Sequence, residues 1–143
     1  VDSTESDDDG VLTRANPPSN LVEVVLTNRL FGVGSTVDAI TFDLITFPLS
    51  ALANTVYRFE FQVVGREAVS GEAVSYTVFA GAKTIAGVAS IVETPYIDAD
   101  QDAPTLLAAS IGFVASGNSV VLQVTGVLGT NITYKALGTY ISV

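Results

Sequence analysis

Asp98, Asp100 and Asp102 stand at alternate positions in Tyr96-Ile-Asp-Ala-Asp-Gln-Asp-Ala-Pro104. In a loop, that spacing can turn several carboxylate oxygens onto one hard cation such as calcium. The calcium-loop pattern asks for glycine at its sixth position and a bidentate glutamate at its twelfth. Ala103 and Ala109 stand there instead. The first expectation is therefore a solvated acidic loop, with calcium the metal to test. A second chemistry is glycoside hydrolysis, in which two carboxylates flank the scissile bond. Glu60 with Glu67 or Glu72 would be the pair. The chain has no tryptophan and only 8% aromatic residues, so a sugar-stacking cleft would rest on tyrosines such as Tyr96. A carbohydrate-binding module needs only such a stacking surface and a few polar groups, and stands ahead of a hydrolase.

Absences narrow the chemistry further. Without histidine or cysteine, neither a Ser-His-Asp nor a Cys-His arrangement can form. Zinc-thiolate and histidine-ligated metal sites are excluded as well. Gly32-Val-Gly34 lacks the third glycine and the following helix of a dinucleotide fingerprint. Asn131-Ile132-Thr133 fits a glycosylation triplet, which chance supplies in a chain this rich in threonine. No catalytic residue and no cofactor is expected.

The elements that must position these residues are strands. Val56 to Val64 alternates Tyr57, Phe59, Phe61 and Val63 with Arg58, Glu60 and Gln62, the period of a strand with one face in a core. Leu21–Thr27, Val37–Phe47, Val74–Ala80, Gly87–Glu93, Ser110–Ala115, Ser119–Thr125 and Ile132–Val143 are further candidates. Turn residues separate them: the Gly32/Gly34 pair, Gly65, Ser70-Gly71, Gly81, Pro95 and Gly129. Gly117-Asn118 between two apolar runs is a hairpin signal. Leu49–Asn54 and Pro104–Ala109 are the only stretches suited to a short helical turn. About eight strands joined by turns predict an all-β antiparallel sandwich, jelly-roll-like, over residues 21–143.

Residues 1–20 differ. Asp2, Glu5, Asp7, Asp8 and Asp9 place five of the fifteen acids in the first ten residues, and Asn16-Pro17-Pro18-Ser19 follows. Such a stretch repels itself and buries too little to fold alone. It reads as an acidic extended arm, either a disordered solvated tail or an arm that becomes ordered only against a partner.

Composition points to assembly. Hydrophobic residues make up 48% of the chain, charged residues 15%, and mean hydropathy is +0.48, against a usual charged share of about 25%. A lone monomer of this make-up would expose larger apolar patches than soluble monomers usually carry. The net charge of −9 argues against nucleic acid, which is bound through a basic footprint. The uncharged stretch from Ala103 to Tyr134 is broken by Pro104, Gly112, Gly117, Gly126 and Gly129, so no membrane-spanning helix is expected. The closing strand stays apolar to its end. Contact residues are therefore expected at Asp7, Asp8, Asp9, Pro17 and Pro18 in the arm, and at Tyr134, Tyr140, Ile141 and Val143 in that strand.

Four stretches carry a resemblance: Tyr57-Arg-Phe-Glu-Phe-Gln-Val-Val-Gly-Arg66, Gly71-Glu-Ala-Val-Ser-Tyr-Thr-Val-Phe-Ala80, Gly117-Asn-Ser-Val-Val-Leu-Gln-Val-Thr-Gly126 and Asn131-Ile-Thr-Tyr-Lys-Ala-Leu-Gly-Thr-Tyr-Ile-Ser-Val143. In their order they resemble a small β-sandwich domain of tailed-bacteriophage virion proteins, of the capsid decoration, fibre and spike type. Tyr134 stands where that group usually has tryptophan, and Ala136 is kept. The resemblance implies a non-enzymatic structural protein of the virion, a homo-oligomer and often a trimer. A capsid decoration (cement) protein on the capsid surface, partnered by the major capsid protein, is the expected form. A receptor-binding tip or fibre domain of a phage tail, or a carbohydrate-binding module, is the alternative.

Overall fold

A computed structural model of the chain describes residues 28–49 and 54–143. The strand read at Leu21–Thr27, the acidic arm and most of the turn at Leu49–Asn54 lie outside the described residues.

The described chain forms nine strands and one 3-10 turn. They are β1 (Arg29–Thr36), β2 (Thr41–Pro48), β3 (Thr55–Glu67), β4 (Ala73–Ile85), β5 (Val88–Ile91), β6 (Tyr96–Gln101), the turn Thr105–Ala108, β7 (Ser110–Ser116), β8 (Ser119–Thr125) and β9 (Ile132–Ser142). Every pairing is antiparallel. Six strands make one sheet in the order β1-β9-β3-β4, with β6 along the first half of β4 and β5 along its end. β2, β8 and β7 make a second sheet with β8 in the middle. The all-β antiparallel sandwich expected from the sequence is the observed fold.

Alternation in β3 builds the interface between the sheets. Tyr57, Phe59, Phe61 and Val63 are buried while the residues between them are exposed. Phe59 stacks on Phe61 with centroids 5.7 Å apart, and Phe113 of the opposite sheet meets them at 5.4 and 5.5 Å. Phe47 adds an edge-on contact to Phe59 at 5.7 Å. Burying each such ring contributes roughly 2–3 kcal/mol from apolar area alone. Ile132, Tyr134 and Ala136 of β9 and Val120, Leu122 and Val124 of β8 complete the core.

Gln101, at the end of β6, closes one end of the sandwich. Its amide donates to the Tyr76 hydroxyl at 3.1 Å, to the Leu106 carbonyl at 3.2 Å and to the Ala109 carbonyl. Leu106 of the 3-10 turn is fully buried behind it. Burial pushes the Tyr76 phenol up to about 12, partly offset by the Gln101 bond.

Several glycines read as turns lie inside strands. Gly32 and Gly34 belong to β1, Gly65 to β3 and Gly81 to β4. A Cβ at Gly32 would fall on the Leu44 carbonyl oxygen of β2, and one at Gly34 on the Phe42 ring. These two residues let the sheets approach closely, another use of glycine in a strand. The acidic stretch Tyr96–Gln101 is also a strand rather than a loop. The helical turn at Pro104–Ala109 and the Gly117-Asn118 hairpin are found as expected, with Ser116 paired to Ser119. Among the described residues no helix is long and apolar enough to cross a membrane.

Candidate functional site

Strand parity sends alternate residues of the six-stranded sheet away from the core. The register then sets those outward residues in rows. Phe31 of β1 lies opposite Leu137 of β9, which lies opposite Gln62 of β3. The next row runs Val33, Lys135, Val64, Ser75 and Asp100. Phe31 is 69% exposed, Val33 53%, Val64 57% and Leu137 46%. Four large apolar side chains thus form a neighbouring group on a solvent-facing sheet surface, where a monomer would ordinarily carry polar residues.

The same surface carries charges of both signs, with Glu60, Asp98 and Asp100 among its outward residues. Arg29, Arg58, Arg66, Lys83 and Lys135 are all of the lysines and arginines among the described residues. Each occupies an outward position, paired respectively with Thr139, Ile141, Thr133, Val56 and Val64. Near the β3–β4 connection this face sinks into a hollow of about 630 Å³, lined by Val64, Gly65, Arg66, Glu67, Thr133 and Lys135 among others.

Five of the acids accept hydrogen bonds from donors of the chain. Glu67 is buried at the end of β3 and accepts from the Ser70 hydroxyl, the Ser70 N–H at 2.6 Å and the Val69 N–H at 2.9 Å. The Ser70 hydroxyl, then these two backbone bonds, hold its carboxyl below the usual glutamate range. Glu72 accepts the Thr105 N–H at 3.0 Å. Asp43 accepts the Gln123 amide at 2.9 Å, and Asp38 the Gly129 N–H at 2.7 Å. Glu60 points outward, whereas Glu67, an odd number of residues away on the same strand, points inward. The two do not face one another across a cleft.

The three aspartates weighed for calcium stand in and just past β6. Asp98 and Asp100 project from β6 at the edge of the large sheet, opposite Thr77 and Ser75. Asp102 lies past the strand end, where its carboxylate accepts the Ala73 N–H at 2.9 Å. A strand holds alternate Cα atoms about 6.6 Å apart, and Asp102 is turned to backbone. No group of three such side chains that could hold a metal ion occurs among the described residues.

The expected contact residues divide. Tyr134 is fully buried, because its position on β9 shares the inward parity of Ile132 and Ala136. Its placement at a subunit contact is corrected to the core. Burial pushes its phenol up, partly offset by Thr36, yet neither Tyr134 Oη nor the buried Thr36 Oγ1 has a partner in hydrogen-bond geometry. Tyr140 is half-buried, its ring 4.8 Å from that of Phe47. Ile141 and Val143 are exposed, and Val143 exchanges two backbone hydrogen bonds with Val56. Asp7, Asp8, Asp9, Pro17 and Pro18 lie outside the described residues. The sequence reading did not single out Phe31, Val33, Val64 and Leu137. The available signal was apolar residues at the parity that carries Arg58, Glu60 and Gln62 on β3.

No family model and no curated protein matches this sequence. Among solved structures, it is similar to the tailspike protein of Acinetobacter baumannii phage AM24, with 8% identity and a TM-score of 0.38 over 82% of this chain. The matched region is 27% of that tailspike's length. A likeness of this degree assigns neither activity nor partner.

Proposed function

We propose that the chain is a non-enzymatic structural protein of a bacteriophage particle that works by association. In the form we favour it is a capsid decoration protein. It sits on the capsid surface as a symmetric oligomer, a trimer, held by contacts to the major capsid protein. The observation that carries the reading is the apolar group Phe31, Val33, Val64 and Leu137 on the outer face of the large sheet. Apolar area of this kind, removed from water, contributes about 25 cal/mol per Å², and symmetric self-association is the common way to cover it. The resemblance of residues 57–143 to virion β-domains supplies the setting.

Cosedimentation of the purified chain with phage heads and, separately, with tails tests this. Binding to heads, lost with Phe31→Glu and Leu137→Glu together, is the expected result. Binding to tails alone would move the protein to the fibre or receptor-binding alternative. Binding to neither, by a chain that stays monomeric, would overturn the reading.

A further inference from the structure

One outward row of the large sheet sets aromatic rings beside polar side chains. Thr139 of β9 lies opposite Glu60 of β3, Glu60 opposite Phe79 of β4, and Phe79 opposite Tyr96 of β6. Tyr96 is 64% exposed, and its ring lies 6.0 Å from that of the half-buried Phe79. Next to the rings the surface sinks into a hollow of about 300 Å³, lined in part by Arg58, Glu60, Phe79 and Thr139. A second hollow of about 230 Å³ is lined by Glu60 and Thr139 together with Gln62. Arg58, Glu60 and Gln62 are all exposed, so their polar atoms are available to a ligand.

We infer that this row binds a neutral oligosaccharide, one sugar ring resting on Tyr96 and Phe79 and its neighbours lying over Glu60 toward Thr139. The face of a pyranose ring is a patch of C–H groups that packs on an aromatic ring, while its hydroxyls point outward and both donate and accept. The row answers each need. Glu60 accepts, Arg58 donates, and Gln62 and Thr139 do both. Aromatic surface with a few convergent polar groups beside a concavity is the make-up of a small-molecule site, and 300 Å³ lies at the lower end of their usual volumes. Charge selects among sugars. Arg58 and Glu60 oppose one another, and a chain of net charge −9 repels an acidic polysaccharide. From Thr139 to Tyr96 the row crosses four strands, about 14 Å, which suits an extended oligosaccharide better than a single ring. The inference stands apart from the capsid reading, since neither Tyr96 nor Glu60 belongs to the apolar group of Phe31, Val33, Val64 and Leu137.

The test is a titration of the isotope-labelled full-length chain, followed by its amide resonances. The probes are short neutral oligosaccharides of glucose, galactose, mannose and N-acetylglucosamine, with oligogalacturonate as the acidic counterpart. At least one neutral series should shift the amides of Glu60, Phe79, Tyr96 and Thr139 saturably, and oligogalacturonate should not. Tyr96→Ala should raise the Kd roughly three- to tenfold through loss of the stacking ring, and Tyr96→Phe should restore it. Glu60→Gln should raise the Kd by about tenfold, the effect of losing a charged acceptor. Unchanged resonances across the rest of the sandwich would certify the fold of each variant. Sedimentation with phage heads is read separately, so either result can fail without the other. No shift at these four amides with any neutral series, shifts that survive both Tyr96→Ala and Glu60→Gln, or a preference for oligogalacturonate would overturn the inference.

Discussion

Phe31 and Leu137 stand directly opposite one another across the β1–β9 pair, and both side chains face solvent. One strand away, the inward residues of β3 form a stacked aromatic core. The same sheet is thus apolar on both sides of this region, while a single sandwich needs only one apolar face. Cross-strand pairing of two exposed apolar residues contributes less than about 1 kcal/mol within one copy, so the pair is better accounted for by a surface that will be covered.

Glu67 should make stability fall in acid. Its carboxylate is held by the Ser70 hydroxyl and by the Ser70 and Val69 amides across the β3–β4 connection, which places its folded pKa below the unfolded value. The stability it contributes is complete above the ordinary glutamate value and is lost as pH falls through the lower folded one. Thermal melts of wild type and Glu67→Gln between pH 7 and pH 2 check this. The wild-type advantage should be largest at neutral pH and shrink below about pH 4; an advantage constant with pH would contradict it.

Gly32→Ala should be costly although the change adds one methyl group. The new Cβ meets the Leu44 backbone carbonyl of the facing sheet and the Ile45 side chain at 2.7 Å. Relief requires moving a backbone rather than turning a side chain, so overpacking of about 1–3 kcal/mol is expected. Gly112→Ala, where a Cβ meets nothing within 4 Å, serves as the control and should stay within about 0.5 kcal/mol. Denaturant midpoints at constant slope measure both.

Tyr134 separates the contribution of a ring from that of its hydroxyl. The ring fills the core between β1 and β3, and the buried hydroxyl has no partner in hydrogen-bond geometry. Removing an unpartnered buried polar group is neutral or stabilising by up to about 1 kcal/mol, whereas deleting a buried ring costs about 3–5 kcal/mol. Tyr134→Phe should therefore melt at or above wild type and Tyr134→Ala far below it. A clear loss on Tyr134→Phe would mean that the hydroxyl is bonded in solution.

Much of the fold was legible because core-facing strands have period two. β3 and β9 alternate regularly, the read limits of β8 and β9 are nearly those observed, and Gly117-Asn118 marks its hairpin. Gly32 misled because a glycine allowing two sheets to touch carries the same letter as a glycine making a turn. β6 was hidden for a different reason: its side chains are mostly exposed, so only the backbone ladder with β4 defines it. The candidate site was the least legible part. Placing Arg66 beside Lys135, or Phe31 against Leu137, depends on a register between strands distant in sequence. Tyr134 was misplaced by the same gap, since its direction follows from which face of β9 meets the second sheet.

The association face is tested most directly by the mass of the native particle in solution. Wild type at micromolar concentration should sediment as a single closed oligomer, expected to be a trimer. Phe31→Glu with Leu137→Glu should sediment as a 14.8 kDa monomer with an unchanged β-sheet circular dichroism spectrum. A wild-type chain that is already a monodisperse monomer, or a double variant that keeps the wild-type mass, would contradict the account.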